Sequence, residues 1–238
     1  MDEPLTVVFP IGGTGERFRH AGIQTYKPFI RLDGKTLFEW AVDSYPPQAR
    51  YLVIIRPEFE KQFAEIPKTR DISFLHLPMN TRGPLETISL FFEGRHINEE
   101  MPVLIADCDA LIGSEELMRA LEFFRLSGAT GGVTVRRAVN PQYSYCRMEQ
   151  TRVLETREKD PFSPWSTTGP YWWRTGKDFM LDAKAALAAN VFSISPVYNF
   201  TIKRGGAVHA FPTETFEHLG TPGELQEYVT RTNRKLNY

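Results

Sequence analysis

The residues best suited to chemistry in this sequence are ones that handle phosphate and a divalent cation. Pro10-Ile11-Gly12-Gly13-Thr14-Gly15-Glu16-Arg17-Phe18 follows a short apolar run. Gly12, Gly13 and Gly15 let the backbone turn tightly and approach a ligand without a Cβ in the way. Successive amides around Thr14 can form a concave nest for phosphate oxygens. Arg17 adds a guanidinium able to hold such oxygens bidentately. Lys27, in Lys27-Pro28-Phe29, adds a second cation on a segment stiffened by proline. Further along, the apolar stretch 102–106 ends in Asp107-Cys108-Asp109. Alternate residues of an extended segment face the same way, so both carboxylates can meet one cation. Mg2+ commonly takes one or two carboxylates together with substrate phosphates.

Each piece also has a plainer reading. A glycine-rich turn serves as a tight strand-to-helix connection, and a lone Asp-x-Asp often caps a loop. Two better-known phosphate loops can be tested and do not fit. In the dinucleotide fingerprint the third glycine would fall on Phe18, and the acid expected after the second strand is replaced by Arg56-Pro57. A P-loop fails because no Gly-Lys-Ser/Thr closes the run.

These residues act together only if strands and helices bring them to one place. Residues 5–9 read as a short apolar strand, and 36–45 as a helix whose Thr36-x-x-Glu39 start predicts a capping box. Residues 51–55, 72–76, 102–106 and 129–135 read as further strands, with helices at 58–64, 84–92 and 115–125. This alternation over mostly short links predicts an α/β fold built on a mainly parallel, doubly wound, Rossmann-like sheet. Ligands of such sheets sit beyond the carboxyl ends of the strands, where the glycine loop and the acidic pair both lie. From about Tyr143 the texture changes to a hairpin around a polar turn at 149–152. Helices follow at 177–189 and 196–203, a strand at 207–211, and a last helix at 222–235 opened by a second capping box, Thr221-Pro222-Gly223-Glu224. With no repeat and no linker, residues 1–238 read as one domain with a partly antiparallel region.

Composition narrows the classes. The 238 residues can bury one substantial core, and 42% hydrophobic with 24% charged residues is ordinary for a globular protein. A net charge of −1 gives no basic field for nucleic acid. No apolar run approaches the ~18–20 residues that cross a bilayer. The acidic start Met1-Asp2-Glu3-Pro4 is unlike a signal peptide. Cys108 and Cys146 form neither a metal-ligand spacing nor a disulfide framework. A cytoplasmic location, away from membranes, is the expectation. Aromatics reach 13%, and the dense set Trp165, Tyr171, Trp172 and Trp173 reads as a strand that feeds the core on one face and can wall a pocket on the other.

Gly12-Gly13-Thr14-Gly15-Glu16-Arg17-Phe18 followed by Lys27-Pro28-Phe29 resembles the signature of the sugar-1-phosphate nucleotidyltransferases. The resemblance runs from Val7 to about Leu225 and is strongest at the N-terminus. It implies that the loop wraps a nucleoside triphosphate, that Arg17 and Lys27 stabilise charge on the phosphates and the pyrophosphate leaving group, and that Asp107, helped by Asp109, binds Mg2+. Gly83, in Thr81-Arg82-Gly83-Pro84, matches the glycine that lets the nucleobase approach, and it is equally a helix-start turn. On the acceptor side, Lys159 matches the lysine that holds the acceptor phosphate, Glu158 the glutamate that touches its polar body, and Gly169 a glycine allowing close approach. The partners implied are a nucleoside triphosphate and a small phosphorylated acceptor, by family habit a sugar 1-phosphate.

One position departs from the pattern. His218, in His218-Leu219-Gly220-Thr221-Pro222, stands where many members carry a second metal-binding aspartate. Histidine is a poorer partner for magnesium. Asp109 or Glu217 could substitute, the metal arrangement could differ, or His218 could be a hydrogen-bonded core residue. Other activities stay open: a cytidylyltransferase acting on a non-sugar phosphate or phosphonate, a glycosyltransferase consuming a nucleotide sugar through Asp107-x-Asp109, and a non-catalytic nucleotide-binding module.

Overall fold

The computed structural model describes residues 5–66, 70–92, 94 and 96–238, so Met1-Asp2-Glu3-Pro4 lies outside the described residues. The first strand, β1 (Thr6–Ile11), sends Val7 and Phe9 to one face and Val8 to the other, and both faces are buried. That explains why its sequence is a continuous apolar run rather than an alternating one. The same holds for β2 (Arg50–Ile55), with Tyr51 and Val53 on one side and Leu52 and Ile54 on the other. The remaining strands of the sheet are β3 (Asp71–His76), β4 (Val103–Ile105), β5 (Gly131–Arg137), β6 (Ser144–Glu149), β7 (Arg152–Glu158), β8 (Trp165–Trp173) and β9 (Val208–Pro212). Their order across the nine-stranded sheet is β3-β2-β1-β4-β8-β5-β9-β7-β6.

The sheet is mixed. β3, β2, β1 and β4 pair in parallel, as the sequence pattern predicts. The next neighbour is β8, which runs antiparallel to both β4 and β5 and so separates two strands that the crossover through the helix Ser114–Leu126 leaves running the same way. β7 also runs against its neighbours β9 and β6. The physical reason is local: β6 and β7 form a hairpin through Gln150, with φ at 52°, and β8 follows β7 by a short link with no helix, so no crossover can restore the parallel direction.

Helices cover both faces. One core holds the helices Leu37–Asp43 and Ser114–Leu126 against β1, β2 and Trp172 of β8. Phe9, fully buried, is ringed by Phe38, Tyr45 and Tyr51 at centroid distances of 5.6, 5.5 and 6.4 Å, and its burial is worth about 2–3 kcal/mol. The other core packs the helices Pro84–Ser89, Gly176–Ala188 and Tyr198–Lys203 against β4, β5, and Tyr171 and Trp173 of β8. The aromatic strand thus feeds both cores by simple alternation. A third, smaller cluster joins Phe18, Ile30, Leu37, Leu219 and Leu225, tying the segment after the glycine loop to the C-terminal helix at Pro222–Thr232.

The capping box at Thr36 is present in both directions. At Thr221 only half of it forms. Thr221 accepts from the Glu224 amide at 3.2 Å, but the Glu224 carboxylate accepts from the Tyr143 hydroxyl at 2.7 Å instead of bonding back to the Thr221 amide. Helix 84–92 stops at Ser89, three residues short of the sequence pattern. Among the described residues no helix is long and apolar enough to cross a membrane.

Candidate active site

The carboxyl ends of β1, β2 and β4 open onto a cavity of about 690 Å3, within the ~300–1,000 Å3 common for small-molecule sites. Residues 12–15 leave β1 and form one wall. Gly15 has φ 72° and immediately precedes the short helix Glu16–His20, a conformation that a side chain would strain. Gly12 is closed in, since a Cβ there would lie 2.8 Å from Leu77. Gly13 opens outward with nothing within 4 Å. Thr14 and Arg17 line the same wall, and Arg17 is exposed with no ion pair among the described residues.

The loop is pinned by a residue the sequence reading passed over. The Tyr26 hydroxyl donates to the Gly13 carbonyl at 2.7 Å and the Ile11 carbonyl at 3.2 Å, while its ring stacks on Phe59 at 3.8 Å. Burial pushes its phenol well above the usual range, with the Cys108 side adding to the effect, so it remains a donor. Tyr26→Phe is expected to cost about 1 kcal/mol in folding and to raise the apparent KM for nucleotide several-fold, which steady-state kinetics with a thermal melt on the same sample will separate. Arg56 was also missed, although a cation straight after a central parallel strand is a readable signal. It lines the cavity and is held by Glu58 at 2.5 Å and by Asn80 at 2.8 Å.

Lys27 opens a 3-10 turn, Lys27–Phe29, with Pro28 fixing its direction. Its Nζ lies 2.5 Å from Asp109 Oδ2, the two side chains being 23% and 13% exposed. Burial alone would depress the Lys27 ammonium, but Asp109, with smaller help from Asp107, holds it well above its ordinary value. Asp109 in turn would be raised by burial and is instead held low, first by Lys27 and then by His218. The sequence placed Lys27 on the nucleotide phosphates and Asp109 on the metal; the structure joins them to each other.

Asp107 is different. It makes no hydrogen bond or ion pair among the described residues, and burial followed by the Asp109 charge pushes its carboxyl upward, only partly opposed by His218 and Lys27. Such an uncompensated carboxylate at the end of a strand is chemically suited to a divalent cation. Asp107 also borders a second cavity of about 170 Å3, lined by Tyr143, Ser144, Glu158, Thr167, Gly169 and His218 among others. Asp107 and Pro84 are common to both cavities, so Asp107 stands at their junction.

A bulge in β8 brings Gly169 to that junction. The β5–β8 register slips between Thr167 and Tyr171, and Gly169 takes φ 99°. A Cβ there would lie 3.1 Å from Asp107 Oδ2 and 3.1 Å from Ala110. Gly83 has an extended backbone, and its bare α-carbon is required by Phe192, whose carbonyl oxygen would sit 2.6 Å from a Cβ; it lines the nucleotide-side cavity as well. Glu158 lines the second cavity and accepts from Ser144, whereas Lys159 is exposed, has φ 53° and lies outside that lining.

His218 reaches the junction on the short strand Phe216–His218, paired with Ala110–Ile112 directly after the acidic pair. The segment before it is anchored by Glu116, whose buried carboxylate accepts from the Thr213 and Thr215 hydroxyls and from the Glu214 and Thr215 amides. Burial works against the Glu116 charge, but these donors bring its pKa from 4.5 to about 2. A depressed acid stabilises the fold above its unfolded pKa and loses that contribution as pH falls toward the folded value. Glu116→Ala is therefore expected to lose about 3 kcal/mol at pH 7, with the gap to wild type shrinking between pH 4.5 and 2 in urea melts. Gly220, also missed, touches both partners: a Cβ there would lie 2.5 Å from His218 Cε1 and 2.9 Å from Asp109 Oδ2.

Comparison with known proteins identifies the family and matches the fold. Residues 7–160 match the family model described as the MobA-like NTP transferase domain. No curated protein matches the chain. The fold is similar to that of a nucleoside-diphosphate-sugar pyrophosphorylase from Vibrio cholerae, at 22% identity and TM-score 0.79 over 94% of this chain and 99% of that one. It is similar to that of an inositol-1-phosphate CTP transferase from T. maritima, at 16% identity and TM-score 0.73 over 97% of this chain and 95% of that one, and to that of a UTP-bound UGPase from Acinetobacter baumannii, at 14% identity and TM-score 0.74 over 97% of this chain and 93% of that one.

Proposed function

The chain belongs to the MobA-like NTP transferase family, and from that premise we propose that it is a nucleotidyltransferase joining a nucleoside monophosphate to a sugar 1-phosphate with release of pyrophosphate. The observation that carries this reading is the position of Asp107 between a large cavity lined by the glycine loop, Arg17, Lys27 and Arg56 and a small polar one. A triphosphate in the first and a phosphorylated acceptor in the second would bring the α-phosphorus and the attacking oxygen together beside one carboxylate.

The chain's own groups then have distinct tasks. The amides of residues 12–15 and the Arg17 guanidinium bind the triphosphate oxygens, with Arg56 adding positive charge at the same wall. Lys27, already ionised against Asp109, stabilises charge on the departing pyrophosphate, which is the kind of preorganised electrostatic help that phosphoryl-type transfer needs. The attacking phosphate oxygen is ionised at neutral pH, so no general base is called for. Asp107 would hold a divalent cation such as Mg2+, which supplies charge opposite the α-phosphate. Glu158 and the hydroxyls of Ser144, Thr167, Ser193 and Ser195 suit a polyhydroxylated acceptor. Gly83 and Gly13 give the nucleotide close access to backbone. Strands β8 and β9 lie beyond the matched residues yet complete the same sheet, which supports treating residues 1–238 as one catalytic domain.

The test follows the phosphorus. With α-labelled NTP and a sugar 1-phosphate, label is expected in the nucleotide-sugar product, and with γ-labelled NTP in pyrophosphate. Transfer of a sugar from a nucleotide sugar, with no movement of the α-label, would instead support a glycosyltransferase.

A further inference from the structure

The small cavity is lined by no lysine or arginine; its ionisable side chains are Asp107, Glu158, His218 and two tyrosines. A phosphate monoester brings about −1.5 to −2 charge at neutral pH. The carboxylates of Asp107 and Glu158 repel it, and His218 has the Glu224 carboxylate 3.0 Å away to offset any charge it carries. Lys159 lies outside the lining. The positive charge that a phosphorylated acceptor needs is therefore missing from the inner surface of the cavity. It stands directly behind the wall.

Arg136, partly buried on β5, packs against two rings that line the cavity. Its guanidinium carbon lies 4.9 Å from the Phe216 ring centroid and 5.7 Å from that of Tyr143. Nη1 donates to the Phe216 carbonyl at 3.2 Å and Nη2 to the Tyr143 hydroxyl at 3.4 Å, so one group grips both wall residues. Its buried Nε has no hydrogen-bond partner, and among the described residues Arg136 makes no ion pair. The Glu224 carboxylate is reached only through the Tyr143 hydroxyl, at 2.7 Å, and it also accepts from the Thr221 hydroxyl at 2.9 Å. A guanidinium taken partly out of water without a carboxylate costs stability, and an apolar side chain would fill the same place between two rings. Folding alone does not account for this charge; an anion in front of the rings does.

We propose that Arg136 is a positioning residue of the acceptor subsite: it sets the Tyr143 and Phe216 wall and lends the positive charge that holds the acceptor's phosphate, a task Lys159 cannot perform from outside the cavity. The inference rests on the reading that the small cavity takes the phosphorylated acceptor. Two features suit arginine to the place. Its charge acts across a partly buried wall, where Coulomb attraction is screened less than in water. Its planar group also stacks on aromatic rings, which the compact lysine ammonium does less well.

The experiment titrates methyl phosphate into the full chain, with the larger cavity already filled by Mg2+ and a non-hydrolysable nucleoside triphosphate, and follows binding by phosphorus NMR. Arg136→Gln is expected to weaken methyl phosphate about 10-fold, and Arg136→Lys, which keeps the charge, clearly less. Raising the ionic strength to about 0.3 M should weaken binding to the wild type and scarcely change Arg136→Gln. Thermal melts on the same samples should show Arg136→Gln no less stable than the wild type, since it loses no ion pair. No methyl phosphate binding to the loaded wild type overturns the proposal, and that result needs no variant to fold. Unchanged affinity in Arg136→Gln, equal losses in the Gln and Lys variants, or a loss confined to Lys159→Ala overturns it as well. Binding that depends on Arg136 in a chain that never releases pyrophosphate would remove the proposed reaction and keep the phosphate subsite; pyrophosphate release with unchanged binding in Arg136→Gln would remove the role of Arg136 alone.

Discussion

Asp107→Asn is expected to lower turnover by about 10²–10³-fold while making the folded protein more stable at neutral pH. Burial and the neighbouring Asp109 raise the Asp107 carboxyl above its unfolded value. A group raised in this way favours the fold below its unfolded pKa, and that contribution is lost as pH rises through the folded pKa. At pH 8 the carboxylate is therefore held ionised at a cost, which a neutral amide of the same shape removes. The gain should be at least about 1 kcal/mol, or roughly 2–4 °C in Tm for a chain of this size. Single-turnover rates and thermal melts on the same preparation check both halves. A variant that is unstable and inactive would point to a structural role, and one with wild-type rates would take Asp107 out of the reaction.

Lys27→Ala carries the second large effect, and here activity and stability fall together. Removing the ammonium leaves Asp109, at 13% exposure, without the charge that keeps it ionised. Because the pair is partly solvated, the expected loss is about 2 kcal/mol, below that of a fully buried pair. Turnover should drop about 10²-fold or more through the lost charge at the leaving pyrophosphate. The double variant Lys27→Ala/Asp109→Ala separates the two effects: stability should return most of the way, and turnover should not. If the double variant restored activity, Lys27 would matter only as the counter-ion of Asp109.

The parts of this molecule that could be read from sequence are those set by local chemistry. The glycine loop before Arg17, the acids after β4 and the capping box at Thr36 depend on residue type and short spacing, and the structure places the first two beyond the strand ends and the third at the helix start that the sequence implied. The direction of β8 was not readable in this way, since it depends on which edges are free once the hairpin β6–β7 has formed. The pairing of Lys27 with Asp109 was equally hidden, as it joins residues 82 positions apart that each had a sufficient role alone. Lys159 matched a motif by order in the chain, but the backbone at the end of β7 leaves it exposed outside the second cavity. His218 was visible as a misfit, whereas its support by Glu224 and Tyr143 arises only when the C-terminal helix packs beside residues 140–145.

Nucleotidyl transfer itself is most directly tested by pyrophosphate release from a matrix of the four nucleoside triphosphates against a panel of phosphorylated acceptors, each with Mg2+ and with Mn2+. The account predicts that at least one pair releases pyrophosphate in step with a new nucleotide-linked product, and that omitting either substrate abolishes it. Tight binding of triphosphate with no pyrophosphate from any pair would contradict it and leave a nucleotide-binding module in its place.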